Sequence, residues 1–127
     1  MSFVVLPKQI HSVIREGEAR LGKDGVLALT AGDLKSVRID GFAVLLIDVQ
    51  TRRIALRAPR DSDRLDARKL TPNMARKGHS PSIFRIKIEP AIRALKIKVD
   101  IARTYRASVK DDLLIIDFNQ EIKGGAN

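Results

Sequence analysis

The spacing of apolar positions changes along the chain, and each change marks an element. In "EARLGKDGVLALT" (residues 18–30) two short alternating runs flank Lys23–Asp24–Gly25, predicting a β-hairpin in which Gly25 supplies the positive φ of a tight turn. Thr30 then stands before "AGDLKSV", where its hydroxyl can cap a short helix, and Leu34 and Val37, three apart, share that helix's inward face. "FAVLLIDVQ" (42–50) is almost continuously apolar and predicts a strand covered on both sides. After the turn "QTRR", Ile54 and Leu56 of "IALRAP" alternate with outward Ala55 and Arg57, and Pro59 ends the strand.

The order then recurs. "IFRIKI" (83–88) places Phe84, Ile86 and Ile88 on one face and Arg85 and Lys87 on the other, and Glu89–Pro90 suits the first turn of a helix. In "IARTYRASV" (101–109), Ile101, Arg103, Tyr105 and Ala107 face Ala102, Thr104, Arg106 and Ser108 across a weakly amphipathic strand, which predicts an edge or a partly solvated position. Around the turn at Asp111–Asp112, "LLIIDF" (113–118) reads as a buried closing strand. Aligning Leu34 with Ile92 superposes Arg38 on Lys96 and Ile39 on Ile97, and later Ile54 on Leu113, with the offset drifting only from 58 to 59. The shared order of strand, short helix, long strand, turn and strand favours duplication over chance reuse of Val, Ile and Leu. The repeats cover about 19–57 and 80–118, separated by a polar, basic linker over 58–79 with room for a short strand at "DARKLT". "IHSVIRE" (10–16) reads equally as a short helix or a strand.

This layout resembles the swapped-hairpin unit of the AbrB, SpoVT and MraZ transcription factors, in which two units of about fifty residues interleave strands into one DNA-binding barrel. The resemblance rests on the strand, the short helix ending in Val37–Arg38–Ile39 or Leu95–Lys96–Ile97, the long strand, the turn and the last strand. Arg38 and Lys96 stand where the family's Leu-Gly-Ile carries glycine. The resemblance implies a mainly β fold with short helices (α+β), built as two tandem β-α-β-β repeats forming one AbrB-like β-barrel pseudo-dimer. It also implies double-stranded DNA as partner and a monomeric pseudo-dimer, or a homodimer should an edge strand pair with a second chain.

Composition narrows the function. The chain has 127 residues, 44% hydrophobic and 31% charged, as expected of one folded domain. Its longest apolar run, "FAVLLI", falls far short of a membrane span, and "MSFVVLPKQ" lacks the basic start of a secretory signal, so a cytoplasmic location without membrane attachment is expected. Without cysteine there is no thiolate nucleophile or ligand.

The net charge of +9 lies wholly beyond residue 50: six bases meet six acids before it, and eighteen bases meet nine acids after it. That asymmetry points to a polyanionic partner, nucleic acid first. The candidate phosphate contacts are Arg68, Lys69, Arg76 and Lys77 in the connector, with Arg85 and Lys87 on the adjoining strand. The five aromatic residues occupy mostly apolar contexts, which disfavours stacking on single-stranded bases.

Catalysis finds no footing. His11 and His79 lack metal-ligand spacing, and Ser80–Pro81–Ser82 has no partner base. Asp61, Asp63 and Asp66 resemble a cation loop but lack the glycine and distal glutamate of an EF-hand, and "GKDG" is too short to cradle a phosphate. A non-enzymatic protein without cofactor or metal is expected. DNA-binding transcriptional regulation leads, and the alternative is a protein-interaction or structural adaptor, antitoxin-like or phage-associated.

Overall fold

The structure, a computed structural model, describes residue 3 and residues 14–63, 65–73 and 81–122. The chain runs through β1 (Glu18–Leu21), β2 (Val26–Thr30), α1 (Ala31–Ser36), β3 (Phe42–Asp48) and β4 (Arg53–Arg57). A 3-10 turn (Asp61–Asp63) leads to β5 (Ala67–Lys69), β6 (Thr71–Pro72), β7 (Ile83–Lys87), α2 (Glu89–Leu95), β8 (Arg103–Lys110) and β9 (Leu113–Ile122). Among the described residues no helix is long and apolar enough to cross a membrane.

All strand pairings are antiparallel, in the order β5-β3-β4-β9-β8-β1-β2-β7-β6. β5 and β6 stand at opposite ends of that order, yet only Leu70 separates them in the chain. An extended residue spans only about 3.3 Å, so the sheet must curl until its two edges nearly touch. Among the described residues the result is a nearly closed nine-stranded barrel with two short helices. Leu70 is the pivot: its side chain is buried and its N–H donates to the Gly41 carbonyl at 2.8 Å.

Period-two alternation fills the interior. Leu27 and Leu29 of β2, Ile54 and Leu56 of β4, Ile86 of β7, and Leu114 and Ile116 of β9 are fully buried. The helices add Leu34, Ala91 and Leu95, with Val37 just beyond α1. Thr30 caps α1 by accepting from the Asp33 N–H at 3.2 Å, and Gly25 turns the first hairpin at φ 79°. Beyond the helices, Arg38 and Lys96 adopt left-handed backbone at φ 59° and 54°. Their N–H groups donate to Lys35 O and Arg93 O, and the next residues, Ile39 and Ile97, donate to Leu34 O and Ile92 O.

Three expectations need correction. β3 is not covered on both sides: Phe42 and Ile47 are 49% and 46% exposed, and Val49 just past the strand is 56% exposed. The apolar run reflects strand preference, while burial is confined to Ala43 and Val44, with Leu45 partly buried against the core. β8 is not an edge, since it lies between β1 and β9, but it is partly solvated as its weak alternation allows: Tyr105 and Ala107 are buried while Arg106, Ser108 and Lys110 are exposed. The inward Arg103 that obscured its pattern is held by Asp100 at 2.8 Å, Glu121 at 3.7 Å and the Lys98 carbonyl at 3.3 Å. Leu113, which the alignment sets on buried Ile54, is only partly buried, and Leu114 is the fully buried residue; the turn before β9 has two residues, Asp111–Asp112, where residues 49–52 make a four-residue one.

The segment read as a linker enters the barrel. "DARKLT" supplies β5 and the start of β6, and the 3-10 turn is pinned to β4 by a two-pronged ion pair. Arg57 Nη1 and Nη2 donate to Asp63 Oδ2 and Oδ1 at 2.6 and 3.1 Å, and the Arg60 N–H adds a bond at 2.8 Å. These bonds, the Arg57 side chain first, hold the Asp63 carboxyl down at about 2. Both of its oxygens are thereby occupied, so this part of the "RDSDRLD" loop serves structure.

Candidate nucleic-acid interface

Alternation on β7 decides where the cations go. Ile86 points into the core, so Arg85 and Lys87 project outward and are exposed. β2 lies on one side of β7, with Val26 opposite Lys87 and Ala28 opposite Arg85. On the other side, β6 sets Thr71 opposite Arg85. Because β5 precedes β6 by one residue, Lys69 and Arg68 arrive at the same place from the far edge of the sheet. Arg68 reaches over the gap and donates from Nη1 to the Lys87 carbonyl at 3.4 Å.

The six residues Val26, Arg68, Lys69, Thr71, Arg85 and Lys87 line one cleft of about 510 Å³. The structure thus gathers four of the sequence-derived candidates, Arg68, Lys69, Arg85 and Lys87. Arg76 and Lys77 lie outside the described residues, as do His11 and His79. Sequence reasoning missed Thr71 and Val26, whose place depends on strand register. It also missed Arg20, which lies on β1 opposite Ala28 and thus two strands, about 10 Å, from Arg85.

The charge pattern here differs from the rest of the surface. Across β3-β4-β9-β8-β1 the register aligns Asp48, Arg53, Asp117, Arg106 and Glu18 in a row of alternating sign. Within it Arg53 Nε lies 3.4 Å from Asp117 Oδ2. Burial pushes the Asp117 carboxyl up, but bonds from the Asn119 N–H and Gln120 Nε2, with the Arg53 charge, bring it below its usual value. In the cleft the four cations meet no carboxylate among the lining residues, and none forms an ion pair among the described residues. A second hollow of about 270 Å³ beside Val37 mixes Arg38, Arg57 and Arg60 with Asp111 and Asp112, and so has no single sign.

Such a cleft attracts anions. Arginine presents planar pairs of N–H donors to phosphate, lysine adds a point charge, and the Thr71 hydroxyl supplies a neutral donor. Among the described residues that line the cleft there is no carboxylate and no imidazole. No family model, curated protein or solved structure matches this chain.

Proposed function

We propose that the chain is a DNA-binding protein, a transcriptional regulator that grips the phosphate backbone of duplex DNA through the seam cleft and its surroundings. The observation that carries this reading is the convergence of Arg68, Lys69, Arg85 and Lys87 on one cleft with no acid among the described residues that line it. Binding would rest on neutralised phosphates and released counterions, which gives affinity without sequence choice.

We further propose that the barrel is a two-repeat pseudo-dimer of the AbrB type, able to act as a monomer. Two sets of facts support it. The helix ends carry matching bonds at an offset of 58: Lys35 and Arg93 accept from Arg38 and Lys96, and Leu34 and Ile92 accept from Ile39 and Ile97. The pairings are also reciprocal. β2 lies on β7 and β4 on β9, while β1 sits between β2 and β8 as the β5–β6 segment sits between β3 and β7.

Fluorescence anisotropy with random-sequence duplex DNA at two salt concentrations tests the function. Tight binding at low salt that fades at high salt is expected, and negligible binding at low salt removes the reading. The adaptor alternative draws on the exposed apolar residues Phe42, Leu46, Ile47 and Val49 at and just past β3, and it becomes the better account should DNA not bind.

A further inference from the structure

The barrel wall has one weak line. β5 is bonded to β3 through the pairs Phe42–Lys69, Ala43–Arg68 and Val44–Ala67, and β6 is bonded to β7 through Thr71–Arg85 and Pro72–Phe84. Between β5 and the end of β7 no strand ladder forms, and among the described residues the hydrogen bond across that gap is Arg68 Nη1 to Lys87 O, long at 3.4 Å. The cleft lies along this gap. One bank carries Arg68 and Lys69, the other Arg85 and Lys87, with Thr71 at the end of the gap and Val26 beside Lys87.

Like charges on both banks repel across a seam that no strand ladder closes, which works against closure. Elsewhere the fold does the reverse: Arg57 meets Asp63, Arg103 meets Asp100 and Glu121, Arg93 meets Glu89. An anion with several acceptor oxygens would turn the repulsion into four charge-assisted attractions and tie the banks together. The cleft volume is about seventeen times the ~30 Å³ share of one water, enough for a phosphodiester with part of its flanking sugars.

We propose that the seam cleft seats one backbone phosphate of the bound nucleic acid, held by Arg68 and Lys69 from β5 and by Arg85 and Lys87 from β7, so that binding completes the barrel wall. This deepens the nucleic-acid reading and rests on it. Two consequences follow: occupancy stabilises the fold, as any ligand of the native state does, and a small phosphate anion suffices to do so only while Arg68 and Arg85 are both in place.

The test is thermal unfolding of the full chain over a series of inorganic phosphate concentrations, with ionic strength held constant by potassium chloride. Tm is expected to rise by about 3 °C at phosphate well above its dissociation constant. Sodium glutamate at matched ionic strength should give no rise, and neither should Arg68→Gln or Arg85→Gln in phosphate. Arg85→Gln removes an exposed side chain with no partner among the described residues, so it keeps the test valid if Arg68→Gln folds poorly. A flat phosphate response, an equal rise with glutamate, or a full rise in both variants overturns the seat. Duplex-DNA anisotropy on the same samples separates the two ideas: DNA binding without a phosphate response sinks the seat and spares the DNA reading. A phosphate response without DNA binding overturns the nucleic-acid ligand, and with it the proposal as stated.

Discussion

Arg38 and Lys96 occupy left-handed backbone in which a Cβ costs about 1 kcal/mol, and both side chains are exposed. Glycine at either site is therefore expected to raise stability by about 1 kcal/mol, or about 4 °C in Tm, whereas valine lowers it. Thermal melts of Arg38→Gly, Lys96→Gly and Lys96→Val check this. Asp63 gives a prediction in pH. Its folded carboxyl titrates at about 2, below the ~3.9 of an unfolded aspartate, so the folded state gains from the ionised form. That gain is present in full above about pH 4 and fades as pH falls through about 2. Asp63→Asn should melt below the wild type at neutral pH, and the two curves should converge on acidification to pH ~2.

At the scale of elements, the turning segment between β5 and β6 concentrates its energetics in one side chain. Leu70 is buried, whereas Leu65, five residues earlier in the same polar stretch, is 99% exposed. Leu70→Ala should cost about 2–4 kcal/mol in denaturant unfolding, and Leu65→Ala close to nothing. Nothing in "RLDARKL" distinguishes the two leucines, because strands of three and two residues are too short to display a period. Longer elements were legible. The alternation in "IFRIKI", the hydroxyl before "AGDLKSV" and the glycine in "GKDG" carry their geometry in local chemistry, and the structure places all three as expected. β3 was misread, and of the two readings for β8 the edge failed while the partly solvated position held, because what packs against a strand is not written in the strand itself. An apolar run does not say which of its faces meets the core. An inward arginine reads as solvent-facing until Asp100 and Glu121 are known to receive it. The same limit applies to the cleft, whose cations could be named as candidates although their meeting across the seam follows only from closure.

For the whole molecule, phosphate contacts set how binding responds to salt. The one phosphate seated by the four cleft cations should contribute about −0.9 to the slope of log K against log salt concentration, and every phosphate met outside the cleft should add a similar amount. Arg85→Gln should flatten that slope by about 1 while lowering affinity alike for unrelated sequences. Anisotropy titrations over a salt series measure both. The strand order has a further consequence, for synthesis of the protein. β1 waits for β8, β2 for β7 and β4 for β9, so the early strands leave the ribosome with one flank open. Pairs such as Glu18 with Arg106 form only after most of the chain is made. Such distant pairing makes folding slow, on the order of milliseconds to seconds. During translation the apolar residues of β2 and β4 are consequently those most in need of a chaperone's shelter.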